Sequence, residues 1–413
     1  SMKIIHFKTL IELEAHLKTK QPTLYVGSRT STVLPYEQMM QQPEKYGILK
    51  KLVIGDLSLL PKKMTFDAEE YLHITGAVTW QEAKAYCLQN DRDVMTSPTE
   101  ELALCLSGIA TSATGERCFG YGTLREQIID VTFLNSQGEQ ITYDNKTQLK
   151  DHEIFQNKKN KKILADYEES YSFYKDFKNA PFPRLEKLSD LLIGTEGQLG
   201  IITAATFKTI KKKNEIYLFI KLPKWEKDFK PHLEIFNKVQ TFRKEIDSCE
   251  FVDENSVQYL PEQERPASKC DLLFLEIDEI KFEKVYEELL SDLKLTSHEN
   301  IFQMSSSKCR QFRMNIPRYT FERNQQMGVT KVGTDVQVRP EQFNDLIMLY
   351  KGWKDDGIAY NLFGHFGDAH LHFNFMPKPE ELELCKLKLE KFYHQVKFMT
   401  GSPFAEHGIG ILK

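Results

Sequence analysis

The stretch "DLLIGTEGQLGIITAATFKTIKKK", Asp190 to Lys213, constrains the fold of this chain more than any other. Glycines punctuate its first half and then thin out, and a lysine cluster, Lys208 to Lys213, closes it. Glycine is among the strongest local breakers of regular structure, so a domain boundary is expected here. The two sides read differently. Upstream, strands and helices alternate: Leu10, Leu13 and Leu17 have helical spacing, and "TLYVG", "KLVIGDL" and "YLHITGAVT" read as short strands. Thr79 opens a helix, with Glu82 three positions on to complete a capping box. "IIDVTFLNSQGEQITYD" alternates around a Gln-Gly turn and predicts a hairpin. The charge run "NKKNKK", Asn157 to Lys162, reads as a solvated loop.

Downstream, "IYLFIKL", a helical stretch, "DLLFLEID" and "FEKVYEELLSDLK" read as β-α-β-α, the pattern of an antiparallel, ferredoxin-like α+β layer. A long helix follows, with Leu382, Cys385, Leu389 and Tyr393 along one face, and then "SPFAEHGIGILK". The expected organisation is α+β throughout. Residues 1–209 form one domain and 210–376 a second. Residues 377–413 form a helix and tail that return to the first.

Composition removes several functions. A net charge of −4 gives no electrostatic footprint for nucleic acid. No stretch reaches the roughly 20 apolar residues of a membrane span. The seven cysteines include no CxxC pair, which argues against a disulfide framework, an iron–sulfur cluster or a thiolate zinc site, and predicts a reducing, cytoplasmic compartment.

Two sets of residues carry chemistry. Three glycine-containing loops, "VGSRTS", "SGIATSATGERCFGYG" and "GTEGQLGIIT", could let backbone N–H groups approach an anion. None matches the dinucleotide fingerprint or the P-loop, which disfavours a nicotinamide-binding domain. Near the other end, "GHFGDAHLHFNF" gathers three of the chain's 11 histidines. Strand alternation puts His370 and His372 on one side, and a glycine-flanked turn lets His365 face the same point as His372. Glu406 and His407 in "AEHGIG" add a carboxylate and an imidazole. Two histidines and one carboxylate suit the open three-ligand site of a catalytic metal.

These motifs resemble a known family. "DLLIGTEGQLGIIT" is close to the "DLxxxxxGSEGTLGIIT" stretch of vanillyl-alcohol-oxidase (PCMH-type) FAD-binding domains, and the second loop resembles their "ATNAxG…YG" region, with Ser112 for the usual Asn. Where that family has "GGGT", this chain has Gly27, Ser28, Arg29 and Thr30. "GHFGDAHLHFN" and "FAEHGIG" are similar to "GHxGDGNLHxN" and "xxEHGIG" of the FAD-linked oxidase C-terminal domain, found in D-lactate, D-2-hydroxyglutarate and other D-2-hydroxyacid dehydrogenases and in the glycolate oxidase flavin subunit. Ala369 and His370 replace the usual Gly-Asn, so that His370 is either a further ligand or a shaper of substrate contacts.

The resemblance implies non-covalent FAD, held by Gly27, Ser28, Arg29, Thr30, Ser107, Gly108, Thr111, Ser112, Gly115, Tyr121, Gly122, Gly194, Glu196, Gly197, Gly200, Ile201 and Ile202. It implies a divalent metal, Zn or Mn/Fe, on His365, His372 and Glu406, with His407 as the base. Arg313 in "FRMNIP" is expected to grip the substrate carboxylate, and Lys331 in "KVGTDVQVRP" is a looser match to a family lysine. The implied reaction is oxidation of a small D-2-hydroxy acid by a substrate cap over the flavin. A quinone, a cytochrome or an electron-transfer flavoprotein would be the acceptor, and a peripheral membrane contact and a homodimer are compatible with it. A sugar or aldonolactone oxidase and a flavin subunit of a larger complex are the alternatives.

Overall fold

The computed structural model describes residues 3–27, 52–178, 184–195, 197–293 and 298–398. It divides into two compact units. The first takes the described residues up to Thr114 and the run Thr123–Lys212; the second takes Gly115–Gly122 and the described residues from Lys213 on.

The first unit carries strands β1 (Ile4–His6), β2 (Thr23–Val26), β3 (Val53–Asp56), β4 (Lys63–Phe66), β5 (Leu72–Thr75), β6 (Arg92–Val94), β7 (Ile128–Leu134), β8 (Gln140–Asp144), β9 (Ile201–Phe207) and β10 (Thr209–Lys211). β1 and β2 flank β3 in a small parallel sheet. β4-β5-β9-β7-β8 form an antiparallel sheet, and β10 pairs with β6. The Gln-Gly turn does join β7 to β8, with Gly138 in the left-handed region at φ 76°. Helix Trp80–Gln89 starts on the Thr79/Glu82 capping box and buries Trp80, Ala83 and Cys87 against Ile74, Val131 and Phe207. The "NKKNKK" run is a correction: it opens helix Lys158–Tyr171. Asn157 accepts from the Asn160 N–H at 2.8 Å and caps it, so lysines fill exposed helical positions and Leu164 alone is buried.

In the second unit β11 (Glu215–Leu222), β12 (Ile246–Val252), β13 (Asp271–Asp278), β14 (Ile301–Met304), β15 (Val332–Gly333), β17 (Tyr360–His365) and β18 (His370–Phe375) form one sheet, in the order β14-β11-β13-β12-β17-β18-β15. β16 (Val336–Gln337) also pairs with β18, and every pairing is antiparallel. Alternation separates the two faces. One face sends Leu218, Leu275, Cys249, Phe251, Leu362, Leu371 and Phe373 into a core. Helices Lys230–Gln240, Phe343–Lys354 and Leu382–Phe398 close that core with Phe236, Phe343, Tyr350 and Phe392. The last of these helices, expected to go with the tail toward the first half, thus buries Cys385, Phe392 and Val396 in the core of the second unit.

The opposite face is mixed. Phe219, Val252 and Phe274 pack under helix Ser306–Gln326 through Cys309, Phe312 and Ile316. Beside this apolar patch the same face presents Tyr217, Glu276, Ser248, Glu250, His365, His370 and His372, polar residues on adjacent strands of one sheet. Burying so many polar groups is costly unless they pair, so this band is the natural place to look for function.

Candidate functional site

The histidines are brought together by one hairpin. β17 and β18 pair His365 with His370 and Phe363 with His372, so all three imidazoles stand on the same face. Their ring centroids lie 5.2 Å (His365–His370), 6.1 Å (His365–His372) and 5.0 Å (His370–His372) apart. Gly364 permits the approach: its φ is +143°, and a Cβ there would stand 2.9 Å from the His370 carbonyl oxygen. Ala369, between the strands, sits in the left-handed region at φ 52°, where glycine is the unstrained choice.

Carboxylates from distant strands meet these rings. Glu250, one residue before the Phe251↔Gly364 pair, lies 2.9 Å from His365 Nδ1. Asp335, just ahead of the Val336↔Leu371 pair, lies 2.6 Å from His370 Nε2. The His372 Nδ1–H donates to the Thr334 carbonyl at 3.1 Å, which turns Nε2 toward any ligand. Burial pushes the Glu250 carboxyl up, against the pull of His365. Asp335, His370 and His372 each place one donor atom within 4.8 Å of the other two. Two imidazole nitrogens and a carboxylate oxygen form a donor set that suits zinc or a neighbouring first-row metal.

Cations line the rest of the band. Helix Ser306–Gln326 is capped by Ser305 and carries Arg313, whose Nη2 lies 2.7 Å from Glu116. Pro317 cannot donate to the carbonyl four residues back, so the Arg313 carbonyl loses its helical partner just where the side chain enters the band. Burial opposes the Arg313 charge, but Glu116 and other carboxylates outweigh it and raise its pKa. Its Nε is buried and has no partner among the described residues.

Arg117 Nε binds Glu276 at 2.8 Å and Nη2 reaches Glu215 at 3.5 Å; Tyr217 donates to Glu276 at 2.8 Å. Lys213 pairs with Asp247 and with the Tyr121 hydroxyl. Burial pushes Glu276 up, but Arg117 and Arg313 overcome it and hold it down at about 2. Glu215 has no such surplus of cations. Burial, then Asp247 and Glu276, push it up to about 10, so it keeps its proton at neutral pH. Glu215, Asp247 and Glu276 also meet the distance criterion for a metal, but a proton and two cations already balance them.

The other expected site residues fall as follows. Lys331 is exposed, just ahead of β15. Ser28, Arg29, Thr30, Glu196, Glu406 and His407 lie outside the described residues. In the first unit Gly27 and Gly194 both lie against the helix Cys105–Thr111 and its cap. A Cβ on Gly27 would strike Ser107 Oγ, Gly108 lies against Trp80, and Thr111 donates to the Ser107 carbonyl. Ser112 caps this helix at φ 52°, and the Gly194 N–H binds the Ile109 carbonyl at 2.9 Å. Gly194 and Gly197 are left-handed, at φ 73° and 78°, while Gly200 approaches the Leu134 carbonyl and leads into buried Ile201 and Ile202 of β9. Small side chains and left-handed backbone around Gly27, helix Cys105–Thr111 and Gly194 fit the phosphates of a dinucleotide. Gly115, Tyr121 and Gly122 belong to the second unit.

Sequence reasoning missed Glu250, Asp335 and Glu116. Asp335 alone carried a signal, as an acid in the strand-like "TDVQV".

The chain has a mixed helix–strand fold that it shares with an alkyldihydroxyacetonephosphate synthase, at TM-score 0.68 and 14% identity, over 97% of this chain and 71% of that one. Residues 214–413 match the family model of FAD linked oxidases, C-terminal domain. It is 23% identical over 362 residues to the D-lactate dehydrogenase [cytochrome] 1, mitochondrial, of Saccharomyces cerevisiae, covering 82% of this chain and 54% of the relative. It is likewise 23% identical to the mitochondrial D-2-hydroxyglutarate dehydrogenase of Danio rerio, covering 87% of this chain and 63% of the relative. The chain therefore spans less than two thirds of the length of either relative.

Proposed function

We propose that this chain is an FAD-dependent dehydrogenase of a small D-2-hydroxy acid, of the lactate, glycolate or 2-hydroxyglutarate type, with the second unit as its substrate cap. We read the β14-β11-β13-β12 core of that unit as the ferredoxin-like layer of the cap. The observation that carries the proposal is the band of buried imidazoles and guanidiniums on one sheet face. It matches a substrate with a hydroxyl beside a carboxylate. Arg313 offers the carboxylate an unpaired Nε–H, and a guanidinium binds carboxylate through parallel N–H donors. The imidazoles stand where an α-hydroxyl can be held, with Glu250 orienting His365 and the Thr334 carbonyl orienting His372.

FAD, bound non-covalently on the loops of the first unit, supplies the hydride acceptor. His365 and His372 would hold a divalent metal, which would supply a Lewis acid to the α-hydroxyl. The proposed base for the hydroxyl proton is His407. Glu406 stands in this reading as a further metal ligand. The acceptor that reoxidises the flavin is a one- or two-electron carrier, a cytochrome being the one named for the yeast relative. The cytoplasm is our reading of the compartment, from the cysteine pattern.

The test is anaerobic flavin reduction with a panel of D- and L-2-hydroxy acids. Bleaching of flavin absorbance by one or more D-isomers, with the L-isomers inert, is expected. A flavin-loaded protein that no 2-hydroxy acid reduces would sink the proposal.

A further inference from the structure

We propose that the second unit carries a neutral, hydrogen-bonding subsite on Asn361 and Asn374 that selects 2-hydroxy acids with further hydroxyls beyond the α-carbon. The inference rests on the hydroxy-acid reading and names the substrate class within it. β17 and β18 set Asn361 directly opposite Asn374, on the face that carries the three histidines. The two residues are 0% and 1% exposed. Carboxamides so placed could bond to each other. Instead Asn361 Oδ1 and both polar side-chain atoms of Asn374 have no partner among the described residues. Asn324, one turn beyond Thr320 on the buried face of helix Ser306–Gln326, adds a further unpartnered Oδ1. Buried polar atoms are nearly always satisfied, so these four mark a place that something fills.

The hydrogen bonds settle which groups face that place. The Thr320 hydroxyl donates its one proton to the Ile316 carbonyl at 2.8 Å, so it can only accept from Asn361, 2.8 Å away. Asn361 therefore turns its Nδ2 to the helix and keeps Oδ1 as an acceptor in want of a donor. Asn374 offers one donor and one acceptor whichever way its amide is turned. With Asn324 the set is rich in acceptors. Hydroxyls, which donate as well as accept, suit it; a second carboxylate, which when ionised only accepts, does not. An alkyl tail would leave the amides unsatisfied. Gly333, paired with Asn374, keeps the room: a Cβ on it would strike Asn374 Oδ1, and its backbone is not left-handed, so the glycine is there for space. Asn374 lies two residues past His372, roughly 6.6 Å along extended chain, a span that the later hydroxyls of an acid held at the imidazoles can cover. The rival filling is ordered water alone, which buried polar pockets commonly hold.

The experiment is anaerobic flavin reduction by the full chain with FAD bound. The probes are trihydroxybutanoate, 2-hydroxybutanoate, 2-hydroxyglutarate and lactate, all R-configured at the α-carbon. The kcat/KM of the parent for trihydroxybutanoate should exceed that for 2-hydroxybutanoate, its equal in carbon number, by roughly 100-fold or more, because a site built to bond a hydroxyl rejects the analogue that lacks it. This comparison needs no variant to fold. Asn361→Leu should cut the preference roughly tenfold or more, through a loss on the trihydroxy acid. Gly333→Ala, which keeps both amides but displaces Asn374, should lower it in the same direction. The proposal is overturned if the parent takes 2-hydroxybutanoate, 2-hydroxyglutarate or lactate as well as it takes trihydroxybutanoate, in which case the amides hold water alone. It is also overturned if the preference is unchanged in both Asn361→Leu and Gly333→Ala. In either case the flavin has been reduced by a 2-hydroxy acid, and the enzyme reading stands. If none of the four acids reduces the flavin, both fall together.

Discussion

Two clusters in the second unit meet the same distance criterion for holding a metal, and they are physically unlike. Asp335, His370 and His372 combine one carboxylate with two imidazoles, whose ring nitrogens are good ligands for zinc and its neighbours. Glu215, Asp247 and Glu276 are three carboxylates, but Arg117 and Lys213 are ion-paired into them and Glu215 keeps a proton. Proximity of donors is therefore not the test. What matters is whether the charge is already balanced by protein groups. The acidic cluster closes on itself and fastens the Gly115–Gly122 segment to β11, β12 and β13 through Arg117 and Tyr121. The imidazole cluster instead sets two ring-nitrogen donors beside a single carboxylate.

The sharpest way to break this comparison is to remove the cation that balances the acids. Arg117→Met leaves Glu276, 6% exposed at its side chain, without its strongest partner. Breaking a buried pair on one side costs roughly 3–5 kcal/mol, because the remaining charge is buried alone. Urea unfolding of the second unit should register that loss. Glu276→Gln should cost less, since Glu215, 3.5 Å from the same guanidinium, can give up its proton and replace the lost charge. Equal costs for the two variants would mean that the proton on Glu215 is not a reserve of charge.

A pH series sharpens the same point with opposite signs. The folded pKa of Glu276 is depressed to about 2, so its contribution is full above the ordinary carboxyl range and is lost as pH falls toward 2. The folded pKa of Glu215 is raised to about 10, so its contribution is full below the ordinary carboxyl range and is lost as pH rises from there toward 10. The limiting slope for one such proton is about 1.4 kcal/mol per pH unit. Glu215→Gln, which mimics the protonated form, should flatten the alkaline limb of unfolding free energy against pH and leave the acid limb unchanged. An alkaline limb as steep in the variant as in the parent would place the proton elsewhere.

Local chemistry made part of this fold legible in advance. The Thr79 cap, the β7–β8 hairpin turn and the shared face of His370 and His372 each depend on residues a few positions apart. The partners of the histidines were not legible, because they depend on strand register across long separations. Glu250 is 115 positions from His365, and Asp335 is 35 from His370. A one-residue slip of β12 against β17 would turn Glu250 into the core, and nothing in its own neighbourhood in the sequence specifies that register. The lysine-rich helix Lys158–Tyr171 was missed for a different reason. Its helical signal lies in the Asn157 cap, while its composition reads as solvent-facing in any conformation.

The smallest expected effect concerns the pair that combines features of both clusters. Arg313 is balanced by Glu116 like the acidic group, yet its Nε has no described partner, as a ligand-binding group would have. If Arg313 holds the substrate carboxylate, Glu116 competes for the same guanidinium. Glu116→Gln removes that competitor's charge and keeps its shape. Its KM for D-lactate, or for whichever D-2-hydroxy acid reduces the flavin best, should fall about fivefold, the equivalent of an ion pair worth about 1 kcal/mol. The flavin-reduction rate at saturation should stay the same, because the carboxylate is bound equally in ground and transition states. Arg313→Lys should raise KM, since an ammonium cannot reproduce the two parallel N–H donors. A lower KM in the first variant with a higher one in the second would place Arg313 at the substrate. An unchanged KM in both would assign the Glu116–Arg313 pair to the balanced, structural kind, beside Arg117 and Glu276.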